Sequence, residues 1–155
     1  MNSRRTCREF AVQALYLCDA LGDFSRETVS LFTSHFLSNG LCEDGESRAS
    51  LDVDPFFREL VEGVILNIDA IDAILELAST NWSVARMANV ERNILRVAVY
   101  EMLYRADIPS KVSINEAVDI AKEFASPEGP TFINGVLDKV RQQAEISKSQ
   151  APEKK

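Results

Sequence analysis

Apolar residues in this chain recur every three or four positions almost from end to end, and the alternation that a half-buried strand needs is nearly absent. That period predicts an all-α fold of six to seven helices. A first helix is expected over 4–21, stopping before Gly22, and a second over 25–36. Asp54-Pro55 supplies a cap followed by proline at the first helical position, opening a long helix to about residue 77. Residues 79–82 break it, and a short turn over 83–88 leads to a helix over 89–104. That helix is apolar on most of its sides, the pattern of a central, buried element. Ser113 and Glu116 have the spacing of a capping box, predicting a further helix to about residue 125. A last helix follows from Pro130, carrying the stripe Phe132, Ile133, Val136, Leu137 and Val140. Gly135 inside it is expected to mark a close approach by another helix.

Two stretches escape the period. Residues 38–54 combine Gly, Ser and Asp with Glu43, Asp44, Glu46, Asp52 and Asp54, and read as an acidic surface loop. Residues 147–155 read as a disordered tail. The remainder, 1–146, is expected to form a single domain, and 155 residues suffice to bury a core without staples.

Charge and cysteine content narrow the function. A net charge of −7 argues against binding nucleic acid with the whole surface, so any such site must be a local patch. Cys7, Cys18 and Cys42 are odd in number and lack a CxxC spacing, which suits small buried side chains in a reducing cytoplasm rather than a disulfide framework. The N-terminus has arginines but no apolar run of a signal peptide, and no segment is long and apolar enough to span a membrane. The one histidine, His35, has no second ligand at metal-binding spacing, and no nucleophile elbow or phosphate-cradling glycine loop is present. No metal, cofactor or enzymatic activity is therefore expected.

The patch that remains is on the first helix. At 100° per residue, Arg5, Arg8, Gln13 and Tyr16 share one side with Arg4 at its flank, while Phe10, Ala14, Leu17 and Leu21 fall opposite, toward the expected core. Guanidinium groups neutralise phosphates and an exposed aromatic ring stacks on an unpaired base, the combination used by single-stranded RNA sites. A solvated basic helix end would show the same pattern. Glu101 and Arg105, four residues apart, are read as a structural ion pair.

Several segments, in order, resemble the NusB family. They are Arg8-Glu9 with AVQALY (11–16), FFRELVEGV (56–64), Asn81-Trp82, VERNILR (90–96) with VYEML (99–103), IPSKVSINEAVDIAKEF (108–124) and FINGVLDK (132–139). The resemblance implies two packed helical subdomains and a transcription antitermination factor. Such a factor binds boxA RNA of nascent ribosomal RNA transcripts together with NusE, a small-subunit ribosomal protein, within an RNA polymerase antitermination complex. It further implies RNA contacts at Arg4, Arg5, Arg8, Gln13, Tyr16, Glu128 and Phe132, and a contact to NusE at Glu91. The stretch EGPT (128–131) departs from the family by lacking the basic residue that many members carry before the phenylalanine. NusB-like domains also precede ribosomal RNA methyltransferase domains, but no methyltransferase motif occurs here and a charged tail follows the last helix. A protein-interaction module, such as a homodimer that hides the arginines, is the third alternative.

Overall fold

In a computed structural model, residues 3–38, 54–79 and 83–150 are described, with the backbone alone for 35–38 and 145–150. Seven α-helices occur among them: α1 (Arg4–Leu21), α2 (Arg26–Ser38), α3 (Pro55–Leu66), α4 (Ile68–Ala78), α5 (Asn89–Tyr104), α6 (Ser110–Phe124) and α7 (Gly129–Gln150), with a 3-10 turn at Val84–Arg86. None is long and apolar enough to cross a membrane. The expected acidic loop, apart from the ends of its range at Ser38 and Asp54, lies outside the described residues, as do Cys42 and residues 151–155. The last helix extends through Gln150, so residues 147–150 are helical rather than part of a tail.

Local chemistry sets most boundaries. Ser3 caps α1 by accepting from the Thr6 amide at 3.1 Å. The helix ends at Gly22, whose φ of +66° suits glycine and lets the Gly22 and Asp23 amides bond back to the Asp19 and Cys18 carbonyls. Asp54 accepts from the Phe56 amide and Pro55 opens α3, as expected. The single helix predicted over 55–77 is instead two. Asn67 leaves helical geometry at φ −111° and ψ 21°, and its side-chain amide donates to the Gly63 carbonyl at 2.8 Å, so the apolar row continues while the axis breaks. At the next break, Glu76 accepts from the Val84 amide at 2.7 Å and Arg92 donates to the Val84 and Met87 carbonyls, fixing the 3-10 turn.

The helices form two packed groups, α1–α3 and α4–α7, joined where α1 and α3 lie on α5. One continuous core runs through both. Leu15, Leu60, Ile71, Leu75, Ile94, Leu95, Ile133 and Leu137 have lost essentially all solvent contact. Truncating any of these to alanine costs about 2–5 kcal/mol. α5 is the central helix that its sequence predicted, buried without interruption from Asn93 to Glu101. Its polar members are matched: Arg96 grips Asp72 of α4 through Nε and Nη2 at 2.9 and 2.8 Å, and reaches Asp19 of α1 through Nη1 at 2.9 Å. Asp19 also accepts from Arg92 and Asn93.

Gly135 is not where helices crowd each other. A Cβ on Gly135 would meet nothing within 4 Å, whereas one on Gly63 would overlap the Tyr100 ring. It is therefore at Gly63 that α3 approaches α5 too closely for a side chain.

Candidate nucleic-acid interface

A helix that opens with Arg4, Arg5 and Arg8, with no acid in its first turn, places cations where the helix dipole disfavours them. The fold offsets this with carboxylates from distant helices. Arg8 donates through Nε and Nη2 to both oxygens of Glu101 on α5, at 2.6 and 2.9 Å, and Ser113 of α6 donates to the same carboxylate at 2.8 Å. Arg8 is only 4% exposed and Glu101 only 1%.

This overturns two readings of the sequence. Arg8 does not stand on the solvent face, and Glu101 is not the partner of Arg105, which pairs with Glu59 and Asp107 instead. The helical wheel failed because α1 packs against α2, α3 and α5 together, so the buried arc is wide. It centres on Cys7, Ala11, Leu15 and Cys18 and takes in Arg8 and Val12, while Leu21 is exposed. Burial pushes the Cys7 thiol up to about 12, with Asp54 adding to it, so Cys7 behaves as a small protonated hydrophobe.

Ser113 and Glu116 also do something other than cap. α6 begins three residues earlier, at Ser110, which frees Ser113 to bond Glu101 and Glu116 to meet Arg5. Arg5 is the exposed counterpart of Arg8. Its Nε and Nη2 donate to the two oxygens of Glu116, and Nη2 reaches Asp119 at 2.9 Å. The hydrogen bond from Arg5 holds the Glu116 carboxyl below its ordinary range, against the opposing effect of burial. One turn on, burial raises the Glu9 pKa, and Glu123 of α6 raises it further. The edges of α1 and α6 therefore lie side by side, with Arg5 and Glu9 facing Glu116, Asp119 and Glu123. Arg4 lies over the Phe56 ring at 4.9 Å, which the guanidinium groups of Arg8 and Arg105 also approach.

Further along α1, Gln13 is half-buried and Tyr16 is 43% exposed. From Arg4 to Tyr16 the row covers about 18 Å of helix axis. Asp19, in the same half of α1 as Tyr16, is bonded to Arg92 at the start of α5. Glu91, beside Arg92, accepts from Ser126 at 3.2 Å, and a Cβ on Gly129 would lie 3.0 Å from its Oε2. Tyr16, Glu91 and the turn bearing Glu128 thus share one end of the helix bundle, and the arginines occupy the other end of α1. Glu128 is exposed, whereas Phe132 is half-buried and packs on the core. Sequence reasoning missed Glu116 and Asp119 as part of this surface. Their signal was present as an acidic row at 116, 119 and 123 on one side of a helix. Among the described residues, no group of three or more His, Cys, Asp or Glu could hold a metal ion.

Comparison with known proteins places the fold in a family. The family model described as the NusB family matches residues 5–142. A transcription antitermination protein NusB from Geotalea daltonii is 47% identical over 144 residues, covering 90% of this chain and 94% of that one. NusB of T. maritima superposes with a TM-score of 0.72 at 28% identity, covering 92% of each chain. A chain from a complex of antitermination factors NusB and NusE with double-stranded RNA shares the fold, with a TM-score of 0.71 at 24% identity over 90% of this chain and 96% of its own. With one fold, a family match over nearly its full length and relatives close to half identical, the chain belongs to the NusB family.

Proposed function

We propose that this protein is a transcription antitermination factor that binds boxA-type single-stranded RNA along the exposed edge of α1, and acts with NusE on an elongating RNA polymerase in the cytoplasm. It has no reaction of its own. The observation that carries the reading is the row on α1: Arg4 and Arg5 are exposed at its start and Tyr16 at its far end, on a chain whose relatives are named transcription antitermination proteins. Arg4 and Arg5 meet phosphates, Gln13 offers an amide, and Tyr16 stacks on a base. Glu128 and Phe132 border the far end. Arg8 acts on RNA only indirectly, by fixing the start of α1. The protein is acidic overall, so NusE, as a basic ribosomal protein, supplies a second cationic surface and the pair holds RNA more tightly than either alone.

Titrating a labelled boxA oligonucleotide with the protein, with and without NusE, tests this. Saturable binding that tightens with NusE and weakens in Arg4→Ala and Tyr16→Ala is the expected result; equal affinity for a scrambled RNA would sink it. Glu91 is assigned to the NusE side. Glu91→Gln keeps the size of the side chain next to Ser126 and Gly129 while removing its charge, so a weakened heterodimer with an unchanged melting temperature is expected. Unchanged NusE affinity would leave Glu91 as a brace for the turn.

A further inference from the structure

We propose that Glu116 and Asp119 compete with RNA for Arg5, so that a phosphate gains this arginine only by displacing them and the two carboxylates set the affinity of the site. The inference rests on the RNA-binding reading above and deepens it.

A guanidinium group presents its donors in a rigid fork, and a carboxylate and a phosphate use the same fork in the same bidentate way. On Arg5 the edge formed by Nε and Nη2 is already taken by Glu116, and Asp119 holds Nη2 from a second direction. A phosphate therefore meets an arginine whose Nε–Nη2 edge is filled by Glu116 and whose Nη1–Nη2 edge is half taken by Asp119. The filling is exchangeable because solvent reaches all three groups: the side chains of Arg5 and Asp119 are 44% and 42% accessible and that of Glu116 22%. The buried pair that Arg8, one turn on, makes with Glu101 of α5 offers no such opening. The surroundings add to the competition. Glu9 and Glu123 stand on the same two edges, near enough to raise the Glu9 pKa, so carboxylates released from Arg5 remain in the path of an incoming phosphate. The other cations near them are engaged already: Lys122 lies 3.8 Å from Asp119, and Arg8, forked onto Glu101, lies 3.8 Å from Glu116.

Removing the two charges while keeping their shape should strengthen RNA binding. Glu116→Gln with Asp119→Asn is expected to bind a single-stranded boxA oligonucleotide about fivefold more tightly, the range set by the worth of an exposed ion pair. The slope of log K against log salt should steepen by about 0.7, because Arg5 then releases one phosphate counterion without two freed carboxylates recapturing cations. Lys122 and the general acidity of the surface could produce a gain of their own. The same double substitution is therefore also made in an Arg5→Ala background, where the gain should vanish. Asp119→Asn alone, which leaves the Glu116 contact in place, should show a smaller gain. Fluorescence titrations of the full chain at several salt concentrations, beside circular dichroism of each variant, read these outcomes. Affinity that is unchanged or weaker in the folded double variant overturns the proposal, as does an equal gain without Arg5. If the wild-type chain binds and only the gain is missing, the competition fails and the RNA reading stands. If no variant binds RNA, both fall.

Discussion

Arg5 and Arg8 stand one turn apart on α1, and each is forked onto a carboxylate more than ninety positions away in sequence. Around Arg8 the region is closed: Glu101 and Ser113 complete the pair, and almost no solvent reaches it. Around Arg5 the region is open, and nearly half of the side chain is accessible. The same chemical pair thus does opposite things. In the closed region each charge has been stripped of water, so the pair is strongly interdependent. In the open region water competes throughout, the pair contributes little to stability, and its members remain free to change partners.

The largest test of this contrast is Arg8→Ala. It leaves Glu101 buried without its cation and should cost about 3–5 kcal/mol of stability, read by chemical denaturation. A loss under about 1 kcal/mol would mean that solvent reaches Glu101 and that the closed region is not closed. The contrast sharpens if both partners are replaced. Arg8→Met with Glu101→Leu should recover most of that loss, because an apolar pair of similar volume avoids the desolvation cost.

An intermediate effect is expected at the other end of the α1–α5 contact. Burial alone would raise the Asp19 pKa, but hydrogen bonds from Arg92 and Asn93 and the charge of Arg96 hold it below the ordinary carboxylate range. A carboxyl depressed in the folded state contributes stability above its unfolded pKa and loses it as pH falls through the depressed value. Asp19→Asn should therefore cost about 2 kcal/mol near neutral pH and make acid unfolding below about pH 4 less steep. Parallel acid-unfolding curves for the two proteins would remove Asp19 from the account.

The smallest effect on stability belongs to Arg5→Ala, which should shift unfolding by less than about 1 kcal/mol. The same substitution should weaken boxA binding, whereas Arg8→Ala acts on RNA only as far as it loosens α1. An Arg5 variant that unfolds readily would collapse the distinction between the two regions.

Much of the architecture was legible from local pattern. The central helix could be read because apolar residues from Ile94 to Leu103 fall on most of its sides, and α3 because Asp54 and Pro55 announce it. The break at Asn67 was hidden, since apolar residues on both sides keep the helical spacing while a single side-chain bond to Gly63 redirects the chain. The candidate site was half legible. Arg5 and Tyr16 are exposed as a helical wheel predicts, because both lie near the middle of the solvent arc. Arg8 lies at its margin, and its fate was decided by Glu101, a residue that no local window contains. Ser113 and Glu116 show the same limit from the other direction. Their spacing satisfies a rule for helix starts, yet each side chain is spent on a tertiary partner.

The long-range matching of α1 also has a consequence in time. Chains emerge from the ribosome N-terminus first, at about 5–20 residues per second. Glu101 follows Arg8 by 93 positions and Glu116 follows Arg5 by 111, so α1 waits roughly 5–20 s after its own synthesis before its counter-charges exist. During that interval α2 and α3, already made, can cover part of the apolar side of α1, but its cations lack their carboxylates. Completion of α6 is the event that lets α1 settle, so a helix made early is among the last to reach its final surroundings.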